Sequence, residues 1–184
     1  RDTRSSDVAD APTNDTGAGA DNHGHAIDAH ELTRDFGAIR AVDAASFSVG
    51  YGEIFGVLGA NGAGKTTVIK MLTGILPPSA GAGHVAGADM RSASRDIKRR
   101  IGYVSQAFSL YADLTVIENI LLYAGIYGLN AAESRRRAAW VLELAALAGH
   151  ERDLVAALPM GLRQRLALGC ALLHRPQVLF LDEP

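Results

Sequence analysis

The sequence predicts an α/β fold with a mostly parallel core sheet, an antiparallel β layer ahead of it and an inserted helical block. Three observations carry this. Glu53-Ile54-Phe55-Gly56-Val57-Leu58 is a short apolar run that enters a glycine-rich loop and leaves it in a stretch of helical spacing. Ile101 to Ser105 and Gln177 to Leu181 are two further apolar runs of strand length. Between them the period becomes helical over Asp113 to Leu129 and Ala131 to Ala148.

Composition narrows the classes of function. The chain has 184 residues, 48% hydrophobic content and a net charge of -2, enough for one domain with a substantial core. Its 18 basic residues are balanced by 20 acidic ones, so it is not a general nucleic-acid-coating protein. Cys170 is the single cysteine, which excludes an internal disulfide and a cysteine-based zinc site and fits a reducing, cytosolic setting. No apolar stretch approaches the roughly 20 residues of a membrane span, and the start carries no charged-then-apolar leader. The chain begins at Arg1 and ends at Pro184, directly after a core-like strand, and so reads as a fragment.

Arg1 to Ala26 contains no Leu, Ile, Phe, Tyr or Trp. Such a segment buries too little apolar surface to offset its ordering entropy, and it reads as a disordered tail or a linker from a preceding domain. His23 and His25 flank a glycine there, in a setting that favours a mobile polar tail over a metal site. From Ile27 to Val49, two extended stretches meet at Phe36-Gly37, and Ala45, Phe47 and Val49 alternate with Ser46 and Ser48. Phe36 at that tip either stacks on a nucleobase or packs into the core, and the residues alone leave the two readings level.

The loop Gly59-Ala60-Asn61-Gly62-Ala63-Gly64-Lys65-Thr66-Thr67 fits the phosphate-loop pattern of a Gly, four residues, Gly-Lys and a Ser or Thr. Its glycines let backbone N–H groups approach phosphate oxygens at a helix N-terminus, where the helix dipole also favours an anion. Lys65 can lean onto the outer phosphates and the Thr66 hydroxyl can ligate magnesium. The helix is expected over Thr66 to Ile75, with Val68, Met71, Leu72 and Ile75 on the buried face and Pro77-Pro78 as its stop.

A short strand and turn follow in SAGAGHVAGADM, then a surface helix over Ser94 to Arg100 with Lys98-Arg99-Arg100 solvated. Gln106 leaves the Ile101 to Ser105 strand at the end where α/β sheets bind ligands. In the second long helix, Trp140, Val141, Leu144 and Leu147 form an apolar stripe, and Arg135-Arg136-Arg137 reads as a solvated helix end. A further helix runs through His174. Asp182-Glu183 close the last strand, a carboxylate pair suited to holding magnesium and accepting a proton from an attacking water.

These segments carry a family resemblance. GANGAGKTT, Gln106 within YVSQAFSLYADLTVIENI, LPMGLRQRLALGCALLHRP and VLFLDEP stand in the order and spacing of an ATP-binding-cassette (ABC) ATPase domain, which the chain resembles from about Ile27 to Pro184. The resemblance implies a P-loop NTPase fold with a helical subdomain at about residues 107–165. It implies ATP and magnesium as cofactors, with Gly59 to Thr67 as the Walker A loop and Phe36 stacking on adenine. Gln106 would be the Q-loop glutamine near the magnesium and the attacking water, Asp182 the Walker B aspartate and Glu183 the catalytic base.

The family signature Leu-Ser-Gly-Gly-Gln is here Leu158-Pro159-Met160-Gly161-Leu162, and Pro159 offers neither hydroxyl nor N–H. A proline-bearing signature is similar to the second cassette of tandem-cassette ABC-2 exporters. The expected partners are therefore a second cassette and transmembrane permease subunits, not nucleic acid. The expected location is the cytoplasmic face of the cell membrane, peripherally bound. Two rivals are a soluble ABC ATPase acting on ribosomes or nucleic acid and a weakly hydrolytic regulatory cassette.

Overall fold

The computed structural model describes residues 24–60, 62–105 and 110–182. Asn61, Gln106, Glu183 and the segment 1–23, including His23, lie outside the described residues.

The described residues open with a long hairpin, β1 (His25–Phe36) and β2 (Ile39–Gly50), turning at Gly37 as the sequence predicts. Ala45, Phe47 and Val49 face inward while Ser46 and Ser48 are exposed, so the period-2 pattern holds. Glu31 and Ala44 interrupt the ladder with left-handed backbone, at φ 48° and 45°. Each bulge is held by a hydroxyl across the hairpin: Ser46 Oγ accepts from the Glu31 N–H at 2.8 Å and Thr33 Oγ1 from the Ala44 N–H at 3.0 Å. β3 (Ala80–Val85) and β4 (Ala88–Asp89) complete an antiparallel sheet of order β2-β1-β3-β4.

Helix α1 (Lys65–Leu72) packs Val68, Met71 and Leu72 against this sheet, in a core with Leu32, Val42 and Val85. Burying each such side chain contributes about 1.5–3 kcal/mol. The helix stops three residues earlier than expected. Gly74 turns the chain at φ 67°, so Ile75 leaves the helical face and is exposed, and Pro77-Pro78 come too late to act as the stop. α2 (Ser94–Arg100) is the expected surface helix; Lys98 and Arg99 are exposed, and Ile97 anchors the helix in the same core.

β5 (Ile101–Val104) pairs in parallel with β6 (Val178–Leu181), from Ile101 opposite Val178 to Val104 opposite Leu181. The crossover between them is the helical block: α3 (Val116–Ile126), α4 (Ala131–Leu144) and α5 (Met160–Ala171) around a second core with Ile120, Val141, Leu147 and Leu166. The three start or end inside their expected spans. Thr115 and Glu118 form a reciprocal capping box that fixes the start of α3 at Val116.

Two expectations are overturned. Residues 53–60 run extended but join no strand ladder among the described residues, so the expected core strand over Ile54 to Leu58 is not in the parallel sheet. A buried parallel strand needs neighbours at its edges and on both faces. Here Phe55 stacks on Phe47, with ring centroids 5.5 Å apart, while Ile54 is 99% and Leu58 94% exposed. The apolar stripe of α4 also differs, because Leu144 is half exposed and Arg137 takes a place in the interior. Its Nε donates to the Leu173 carbonyl and its Nη2 to the Leu172 carbonyl, both at 2.7 Å, so the guanidinium closes the C-terminal end of α5.

Candidate functional site

The glycine loop leads into α1 through two left-handed glycines, Gly62 at φ 85° and Gly64 at φ 83°. Gly64 is the N-cap residue of α1 and supplies no side chain there. A Cβ at Gly64 would collide with the Ala41 carbonyl oxygen of β2, so only glycine lets the loop seat against the hairpin. The Gly64 carbonyl accepts from the Val68 N–H at 2.9 Å, the first bond of the helix. The N–H groups of Lys65, Thr66 and Thr67 have no acceptor among the described residues, and the first turn carries no acidic side chain. They form a cluster of parallel donors at the positive end of the helix dipole.

Lys65 folds back over this turn. Its Nζ donates to the Gly59 carbonyl at 2.5 Å and to the Ala60 carbonyl at 2.9 Å. An ammonium has three donors, so one remains for an anion above the loop. The Thr66 hydroxyl is exposed and has no hydrogen-bond partner among the described residues.

Asp182 leaves β6 beside the exit of β5, its N–H donating to the Val104 carbonyl at 2.9 Å. Parallel pairing places Tyr103 opposite Phe180, and the Tyr103 hydroxyl reaches Asp182 Oδ2 at 2.8 Å. Burial, then the hydrogen bond and charge of Asp182, push the Tyr103 phenol up to about 12, so at neutral pH it keeps the proton it donates. The bond fixes one carboxylate oxygen and leaves Oδ1 unengaged among the described residues. Sequence reading gave Tyr103 no role. Its signal was its place one residue before the end of β5, on the sheet face shared with Asp182.

Phe36 lies at the hairpin tip, 47% exposed, with the Arg34 guanidinium 4.9 Å from its ring centre. Of its two readings, exposure removes the core one. β2 begins opposite Phe36 at Ile39, and Ala41, which touches Gly64, is two residues further, about 7 Å along the strand. The structure thus brings the hairpin tip beside the loop and holds Asp182 at the sheet exit, while Lys65 makes no direct ion pair with Asp182. At the other motif, α5 begins after Pro159, which gives α5 no side-chain cap, and the Leu162 and Arg163 N–H groups both turn to the Pro159 carbonyl. Cys170 is buried in the helical core, which pushes its thiol up to about 12 and leaves it unreactive.

A strand-edge hairpin, a phosphate-type loop opening a helix and a carboxylate at the end of a parallel strand together fit a nucleoside-triphosphate-binding domain. Residues 42–184 match the model of the ABC transporter family, and the chain belongs to that family as an ATP-binding domain. It is 45% identical over 161 residues to a probable multidrug ABC transporter ATP-binding protein, YbhF, of Escherichia coli K12, covering 86% of this chain and 27% of that one. It is 37% identical over 158 residues to the linearmycin resistance ATP-binding protein LnrL of Bacillus subtilis, covering 86% and 51%. Among solved structures it resembles cbiO1 from Clostridium perfringens, part of the ABC transporter complex cbiONQ, with a TM-score of 0.80, 25% identity and coverage of 88% and 66%. The chain thus spans between about a quarter and half of these curated relatives' length.

Proposed function

We propose that the chain binds and hydrolyses ATP to drive export through a membrane partner. The observation that carries this is the open N-terminus of α1, with three unused N–H donors and the Lys65 ammonium folded over them. A triphosphate would lie across those donors, with its outer phosphates against Lys65 and its base near Phe36. Preorganised donors of this kind stabilise charge that develops on the transferred phosphoryl group.

The residues present suit magnesium, which takes few protein oxygens and completes its shell with phosphate and water. The Thr66 hydroxyl and Asp182 Oδ1 are hard oxygen donors not otherwise engaged among the described residues, and Gln106 is the third proposed ligand. When bound, magnesium supplies positive charge against the phosphates. Tyr103 orients the Asp182 carboxylate, and Glu183 with Gln106 positions the attacking water.

No helix among the described residues is long and apolar enough to cross a membrane. The membrane partner in this reading is a set of transmembrane permease subunits. A second cassette would close against this one and reopen after hydrolysis at the cytoplasmic face of the membrane. The names of the relatives, which speak of multidrug transport and linearmycin resistance, support export of drug-like compounds.

The test is steady-state ATP hydrolysis by the full-length protein and its Glu183→Gln variant. Loss of a general base lowers turnover by about 10²- to 10⁴-fold with ATP binding retained. Equal turnover of the two proteins would remove the catalytic assignment.

A further inference from the structure

A cleft of about 690 Å³ lies near the N-terminal ends of β5 and β6. It opens between the end of α2, the α3–α4 turn and first turns of α4, and the loop from α5 to β6. Lys98 and Arg99 line one wall, Arg136 and Arg137 another, and Arg175 sits at the β6 side. These are five cations against one carboxylate, Glu133, in a chain whose net charge is -2. The cleft adjoins the N-terminal ends of β5 and β6, whereas Asp182 lies past their C-terminal ends, about 13 Å away along a four-residue strand.

The charges are poorly compensated. Arg136 approaches Glu133 only to 4.0 Å and Arg99 approaches Asp96 only to 3.8 Å, both between exposed side chains where such pairs contribute little. Lys98 and Arg175 have no carboxylate partner among the described residues. Arg175 is held in the left-handed region at φ 57°, an uncommon conformation for arginine, immediately before Pro176. Burial lowers the Arg137 pKa, and Arg175 and Arg136 lower it further, which is the mark of a positive field without a matching anion. The floor is rigid: the Tyr127 and His174 rings stack at 3.7 Å, and His174 Nε2 bonds the Ile101 carbonyl at 2.9 Å.

We propose that this cleft binds a ligand carrying two or more neighbouring phosphate groups, bridging Lys98 and Arg99 on α2 to Arg136 and Arg175 across the opening. Arginine forks match phosphate oxygens in pairs, and each phosphate brings more than one negative charge to a site with several unmatched cations. The volume suits a small ligand or a lipid headgroup. Because α2 is anchored in the β-layer core and α4 in the helical core, the ligand would tie the two together and oppose the repulsion between their cations. This does not depend on the ATP reading.

The test uses the full chain carrying Lys65→Ala, so that the glycine loop contributes little, at about 50 mM salt. Trp140 is the only tryptophan and its ring centre lies 3.9 Å from the Arg137 guanidinium, so its fluorescence reports on the cleft. Titration with inorganic pyrophosphate is expected to give a saturable change, weakened about tenfold or more in Lys98→Ala/Arg175→Ala. Co-sedimentation with vesicles of phosphatidylcholine plus cardiolipin, absent with phosphatidylcholine alone and lost in the double variant, would assign a lipid source. Pyrophosphate binding without sedimentation would assign a soluble one. No saturable change, or the same midpoint in the double variant, overturns the site. Displacement by poly-glutamate as effective as by pyrophosphate overturns the phosphate preference in favour of an acidic protein surface.

Discussion

Helices α3 and α4 begin with side chains closing their first turns, whereas α1 and α5 begin open. At α3, Thr115 and Glu118 cap each other's N–H groups, and the Val116 and Ile117 N–H groups donate to the Asp153 and Glu151 carbonyls. At α4, Asn130 Oδ1 accepts from both Ala132 and Glu133. Even α2, which lacks a side-chain cap, carries Asp96 against its dipole. Only α1 and α5, among the described α-helices, have neither a side-chain cap nor a first-turn acid. Helices that only support the fold satisfy their ends internally. The two that carry the glycine loop and the Pro159 motif lack such side chains. α1 keeps three N–H groups free among the described residues, for which an anion is the natural complement, while at α5 the Leu162 and Arg163 N–H groups turn to the Pro159 carbonyl.

That contrast can be broken at the open end first. Gly64→Ala forces a Cβ into the Ala41 carbonyl at a φ that alanine resists, and ATP affinity measured calorimetrically should fall about 100-fold or more. Arg137→Ala attacks the far end of α5 by removing a buried guanidinium from two carbonyls. The expected loss is about 2–4 kcal/mol in urea denaturation, with Arg137→Lys recovering only part, because a point charge cannot reproduce the fork. Thr115→Ala opens a closed helix and should cost about 1 kcal/mol by the same measurement while leaving ATP affinity unchanged. A fall in affinity there would erase the distinction between supporting and ligand-binding termini.

The hairpin, α2, β5 and β6 were legible because local pattern and tertiary environment agree there. Alternation across Ala45 to Val49 marks a half-buried strand, and Ser94 to Arg100 has a single anchor, Ile97, on an otherwise polar surface. The segment before the glycine loop was misread for a physical reason. An apolar run specifies a strand only when neighbouring backbone completes its ladder, and Ile54 and Leu58 have no such neighbour among the described residues. The start of α3 was readable from Thr115-Val116-Ile117-Glu118, a capping-box spelling that hydrophobic periodicity alone passes over. Arg137 was not readable, since a charged residue joins a helix's buried face only when paired acceptors await it, and those belong to residues 172 and 173, far along the chain.

At the candidate site, the loop and Asp182 were legible as motifs, whereas the residues alone left Phe36 undecided between a base-stacking and a core role. What the motifs could not show is how the parts are held: Gly64 pressed against β2, Lys65 on the loop's own carbonyls and Tyr103 on Asp182. Such contacts arise from strand register and chain crossing, which no local spacing encodes.

The claim that a triphosphate is held by the open end of α1 is tested most directly by calorimetric titration of ATP into the wild-type protein and into Lys65→Ala. Saturable binding by the wild type, weakened about 10- to 100-fold by the substitution, is the expected result. Equal affinity of the two proteins, or no binding by the wild type, would contradict it.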